Sequence, residues 1–177
     1  DITSAGTGAH TITRNAQPRY TCNGVVDTAE QPGDIIQALN TAMAGKAVNS
    51  GGVWKLYAGA FRTPALTLNE HDVRSSGRLI VQSRVSRRDS FNAVKGIYVS
   101  PLNNYQPSDF PPVTNATYLS QDNNGRSWKD IDLPFTDSPA AAQRLAKIEL
   151  EKMRQQITAS FPANLKSYRL AINDTVN

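Results

Sequence analysis

Reactive side chains are scarce in this chain, which has one cysteine and two histidines among 177 residues. Cys22 alone forms no internal disulfide and excludes a multi-cysteine metal site. A histidine relay would rest on His71, because His10 falls in a leader rich in Thr, Ser, Gly and Ala that reads as mobile. Glu70, His71 and Asp72 are adjacent, and neither a helix nor a strand points consecutive side chains at one locus. They read as an exposed polar turn rather than a metal site. No GxxxxGK[ST] or GxGxxG pattern occurs, so nothing warrants nucleotide binding. No apolar run approaches the roughly 20 residues that cross a bilayer, and no charged-then-apolar N-terminus marks a signal peptide, so synthesis and folding in the cytoplasm is the expectation. Hydrophobic residues at 39% and charged residues at 19% fit neither a disordered nor a membrane-spanning chain. No catalytic, cofactor-binding or metal-ligating residue is assigned, no cofactor is expected, and the chain is read as a non-enzyme.

What is present is architectural. After the leader of residues 1–18, Tyr20 to Val26 suits a strand. Pro32 suits a helix start, and Ile35, Ile36, Leu39, Ala42 and Met43 keep helical spacing up to Gly45, a natural stop. Ala47-Val48 and Val53 to Tyr57, joined through Asn49-Ser50-Gly51-Gly52, predict a hairpin. Residues 19–64 thus form a small α/β unit. Residues 65–177 form a β-rich unit: Leu66-Thr67-Leu68, a turn capped by Asn69, a strand over Asn92 to Ser100, and a proline-rich extended or edge segment from Pro101 to Pro112. After the turn at Asn123-Asn124-Gly125, Trp128, Ile131, Leu133 and Phe135 alternate as a second strand. Ser138-Pro139 starts a helix expected over residues 139–159, with Ala142, Leu145, Ala146, Leu150, Met153 and Ile157 on one face. Leu165 to Ile172 alternates like a returning strand. The fold class is α+β: a strand-helix-hairpin unit, then a mixed β-sheet or partial barrel packed by one long helix.

Candidate chemistry is thin in both units. Asp109, Asp122, Asp130 and Asp132 offer a carboxylate pair for wall-polysaccharide hydrolysis, although aspartates beside prolines, asparagines and turns are expected as turn formers. Trp54, Trp128, Tyr98 and Tyr118 could form a carbohydrate platform but sit where strands anchor cores. Arg74, Arg78, Arg84, Arg87 and Arg88 lie within fifteen residues. A cluster of this kind suggests phosphate contact, yet Arg84 and Arg88 have the even spacing of a strand's outer face, and no aromatic binding motif accompanies them. The stronger reading is a solvated or subunit-contact face. Tyr105 and Phe110 stand in the proline-rich loop, where no periodic face explains burial, and are candidates for docking a neighbouring subunit.

The segments RYTCNGVVDT from Arg19, IIQALNTAMAG from Ile35, GGVWKLYAGAFRTP from Gly51, SRRDSFNAVKGIYVSP from Ser86, DFPPVTNATYL from Asp109 and WKDIDLPFTDSPAAAQRLAKIELEKMRQQIT from Trp128 occur in this order. Over roughly residues 19 to 165 this order resembles the central hub region of the tail-tip attachment (host specificity) proteins J of lambda-like long-tailed bacteriophages. The resemblance implies a hub-like fold and a structural role at the virion tail tip, linking the tail tube to host-recognition modules. It implies other tail-tip and tail-tube proteins as partners, a homotrimeric ring in the assembled tail, and transient passage of DNA. Full-length members are several times longer, and the chain starts at Asp1 without an initiator Met, so the resemblance implies a hub fragment lacking the receptor-binding end. The alternatives are a nucleic-acid-contacting module lining the DNA ejection path and, behind it, a cell-wall hydrolase.

Overall fold

A computed structural model describes residues 2–5, 9–12, 18–74, 77–86 and 88–177. Its centre is β6 (Ala93–Ser100), whose β-branched and aromatic residues favour a pleated, half-buried surface. β9 (Trp128–Leu133) runs parallel along one edge of β6, from Ala93 opposite Trp128 to Tyr98 opposite Leu133. β7 (Gln106–Asp109) and β8 (Val113–Thr114) divide the other edge, both antiparallel. The sheet is therefore mixed and open. Between β8 and β9 the chain makes a short helix, α2 (Ala116–Gln121), started by Asn115, whose side chain accepts from the amides of Thr117 and Tyr118.

α3 (Pro139–Arg154) covers the inner face of this sheet. Its buried residues Ala142, Leu145, Ala146 and Leu150 recur at steps of one, three and four, so a single stripe faces β6. They pack with Phe91, Val94, Tyr98, Phe110 and Leu133 into one core. Gly96 lies on that inner face opposite Ile131, where a Cβ would fall on the Ile131 carbonyl; the missing side chain is what lets β9 approach.

The first unit contributes α1 (Pro32–Ala42) and the hairpin of β3 (Lys46–Ser50) and β4 (Val53–Tyr57). Gly51 and Gly52 both take positive φ at its tip, a conformation glycine reaches without strain. Tyr20 and Ala44 pack onto the main core, and Lys152 Nζ donates to the Ala44 carbonyl at 3.2 Å. Residues 65–74 lie along the last part of the chain: the Ala65 amide donates to Thr175 O and the Leu68 amide to Asn177 O, both at 2.8 Å. Among the described residues β5 (Ile80–Gln82) pairs only with β10 (Thr158–Ser160), as a separate two-stranded sheet.

Several expectations are corrected. Tyr20 to Val26 is irregular rather than a strand; its Asn23 amide donates to Phe135 O, and Gly24 lies against the Phe135 ring, so the segment docks one residue at a time. α3 stops at Arg154 rather than residue 159, because Thr158–Ser160 pairs with β5 instead of continuing the helix. Leu165–Arg169 is a 3-10 turn, capped by the Asn164 side chain, and not a returning strand. Arg84 and Arg88 lie beyond the end of β5, on no strand. Of the leader, Ile2–Ala5 (β1) and Ala9–Ile12 (β2) pair as an antiparallel hairpin, while residues 1, 6–8 and 13–17 lie outside the described residues.

Candidate functional site

The turn from β6 into β7 places the first candidate. Pro101–Asn103 makes one 3-10 turn, and Asn104 and Tyr105 then take φ of 50° and 58°, reversing the chain so that β7 returns along β6. Positive φ is costly for a tyrosine, and the Tyr105 amide anchors it by donating to Ser100 O at 2.9 Å. The turn holds Leu102 at 99% exposure and Tyr105 at 70%. Phe110 behaves differently: it is 2% exposed, its amide donates to Gly96 O at 3.3 Å, and its ring belongs to the core. A side chain already covered by its own chain offers nothing to a neighbour, so of the two expected docking residues Tyr105 alone stays exposed, beside Leu102.

Arg84 lines a polar cleft of about 880 Å3 between α2, the start of β9 and the end of α3. Asp122 is held at its wall by Arg154, with Nη1 3.2 Å from Oδ1, and by Asn92 Nδ2 at 2.8 Å. Arg154 also lies over the Tyr118 ring, 4.5 Å from its centroid. The Tyr118 hydroxyl donates to Glu151 Oε2 at 2.7 Å, which pushes the phenol above its ordinary range because ionising it would place two anions together. Arg88 is exposed and its amide donates to Ser86 Oγ; Arg87 lies outside the described residues.

Three of the four aspartates weighed for hydrolysis share the outer face of the sheet. Asp109 and Asp132 are both register partners of Ile97, from β7 and β9, and Asp130 pairs with Lys95 at 3.4 Å. Two strand spacings separate Asp109 from Asp132, about 10 Å, wider than the roughly 5–9.5 Å of glycosidase carboxylate pairs. Asp122 stays apart, in its ion pair with Arg154. Trp128 stands at the edge of this face between Lys95 and Arg126, while Tyr98 is in the core and Trp54 is exposed on the hairpin, so the four aromatics make no platform.

His71 is exposed on a 3-10 turn, and its neighbour Asp72 carries the local order instead. Lys166 Nζ donates to Asp72 at 2.7 Å, the Asn69 amide at 3.0 Å and Asn164 Nδ2 at 2.9 Å. These bonds, the Lys166 one foremost, lower its carboxyl to about 2. The cluster pins residues 69–72 to the C-terminal segment and is structural.

Two surfaces escaped sequence reasoning. One is an apolar cleft of about 680 Å3 bounded by Ile36 of α1, Val48 and Trp54 of the hairpin, Ile131 of β9 and Leu145 of α3. The other is the segment from Cys22 to Pro32, exposed throughout, with Val25 at 93%. Its composition was the available signal: from Tyr20 to Gly45 there is no Lys or Arg.

No cluster of three or more His, Cys, Asp or Glu side chains able to hold a metal occurs among the described residues. No described helix is long and apolar enough to cross a membrane. Residues 31–177 match a family model described as "Putative phage tail protein". No curated protein matches the chain.

Proposed function

The chain belongs to this family of phage tail proteins, and on that premise we propose that it is a non-catalytic structural part of the tail tip: a hub segment joining the tail tube to host-recognition modules, repeated around the tail axis as a homotrimer. The observation that carries this reading is the β6–β7 turn. It holds Leu102 and Tyr105 out of the fold on a strained, hydrogen-bonded backbone, although five positions after Tyr105 the side chain of Phe110 is sunk in the core. Exposed apolar side chains on a hydrogen-bonded turn are what a subunit contact uses. The order of segments shared with tail-tip attachment proteins supports the position at the tip.

Replacing Leu102 and Tyr105 by Ser in the full-length protein tests the proposal. The fold should be kept, within about 0.5 kcal/mol as for other surface changes, while the yield of complete tails falls. Antibody-labelled electron microscopy of wild-type particles should mark the tip. Normal tails from the variant, or label elsewhere on the tail, would refute the reading. A second reading, contact with DNA on its ejection path, is supported by the arginine-lined cleft and predicts binding that weakens steeply with salt.

A further inference from the structure

Charge is segregated along this chain in a way that its own fold does not use. Asp27, Glu30 and Asp34 lie in a stretch, Tyr20 to Gly45, without a single cation. From Val73 to Arg88 there are five arginines and no carboxylate. Arg74, Arg78, Arg84 and Arg88 are exposed, as are the three carboxylates, and among the described residues none of these seven forms an ion pair.

Each charged segment also carries exposed apolar side chains. Leu79, Ile80 and Val81 stand between the arginines, and Ile157 just precedes β10, the partner strand. All six residues of the β5–β10 pair are exposed, so its own chain covers neither face. Val25 and Val26 precede the carboxylates on the opposite-charge segment.

We propose that these are the two halves of one contact between copies of this chain: the Val25–Asp34 segment of one copy docks on the β5–β10 patch of the next. This deepens the tail-tip reading and rests on it. Apolar side chains form the centre of such a contact and opposite charges its rim. Neither half is complementary to itself, so each must meet the other half on a neighbouring copy. Made once with each of two neighbours, such a contact is head-to-tail, the kind that closes into a ring. The other acidic surface, the outer sheet face, is a poorer partner, since Asp130 is already paired with Lys95 and Arg126 lies beside it.

Sedimentation velocity on the 177-residue chain tests this. Wild type should self-associate, with a dissociation constant that rises at least about tenfold between about 50 and 500 mM salt. Arg78→Glu with Arg84→Glu should abolish association, and so should Asp27→Lys with Glu30→Lys. A chain carrying all four reversals should associate again, with circular dichroism confirming that each variant is folded. Asp109→Asn with Asp132→Asn, on the outer sheet face, should change nothing.

A chain that stays monomeric at every concentration overturns the proposal, even if the arginines bind duplex DNA. A loss that the fourfold reversal does not restore, or a dimer indifferent to the reversals, also overturns it. None of these results decides where antibody labels the tail, so the contact and the tail-tip position fail separately.

Discussion

Asn92 is the residue whose loss the fold should feel most for its size. It is almost fully buried where β6 begins, and its side chain ties that strand to the turn before β9. Its amide donates to Asp122 Oδ2 at 2.8 Å and to Gly125 O at 2.7 Å, while its Oδ1 accepts from the Ser127 amide at 3.0 Å. Replacement by Ala removes few apolar atoms, so the cavity term is small and the hydrogen bonds dominate. Three bonds at about 0.5–1.5 kcal/mol each, with the one to the carboxylate at the upper end, give about 3 kcal/mol. For a chain of this length that lowers the melting temperature by about 6–12 °C. Asn92→Asp separates hydrogen bonding from packing, because it keeps the shape but replaces the donating Nδ2 by an oxygen that faces two acceptors, Asp122 Oδ2 and Gly125 O. At neutral pH it should be worse than Ala, with two carboxylates facing each other, and acidification should relieve part of the loss. Thermal and urea melts followed by circular dichroism measure both. The reasoning fails if Asn92→Ala stays within about 0.5 kcal/mol of wild type, or if Asn92→Asp is no worse than Ala at pH 7.

Gly96→Ala puts a methyl group on the Ile131 carbonyl of the neighbouring strand. The entropy gained by restricting the unfolded chain is about 0.4–1 kcal/mol, less than the overpacking cost of about 1–3 kcal/mol, so a urea melt should show net destabilisation; a stabilised variant would mean that β9 moves freely. The Asp72 cluster should be visible on acidification. Its carboxyl is lowered from 3.8 to about 2, so its contribution is complete above the ordinary value and is lost as pH falls towards 2. Lys166→Met should return the carboxyl towards 3.8, leaving the variant weaker at pH 7 and closing the gap with wild type near pH 2, read by carboxyl NMR titration and pH-dependent melts. An unchanged titration in Lys166→Met would remove Lys166 as the main cause.

Much of the core was legible because local and global signals agree there. Ser138-Pro139 starts α3 where expected, and the stripe Ala142, Leu145, Ala146 and Leu150 is the buried face. The misses have a common cause, which is that periodicity says nothing about distant partners. Ile157 continues the helical spacing, but the chain after it pairs with residues nearly eighty positions earlier and leaves Ile157 exposed. Tyr168 and Leu170 alternate like a strand, yet among the described residues no strand pairs with them and the local Asn164 cap prevails. The prolines around Phe110 predict a loop, whereas Phe110 follows β7 directly and its amide is fixed on β6. The candidate contact surfaces were half visible: the arginine cluster stood out because like charges gathered, while the acidic stretch is marked by missing cations, a weaker signal.

The β5–β10 pair also sets an order of events. It is three residues long on each side, it is closed across most of the second unit, and it has no buried side chain to hold it. Such a pair opens far more readily than the β6 sheet, so its amides exchange with solvent through local opening while the core stays protected. In the contact proposed above, a neighbour that covers the pair would stop that opening, and association there would complete the folding of the chain. Loss of hydrogen exchange at Ile80 to Gln82 then registers assembly before any change in the core.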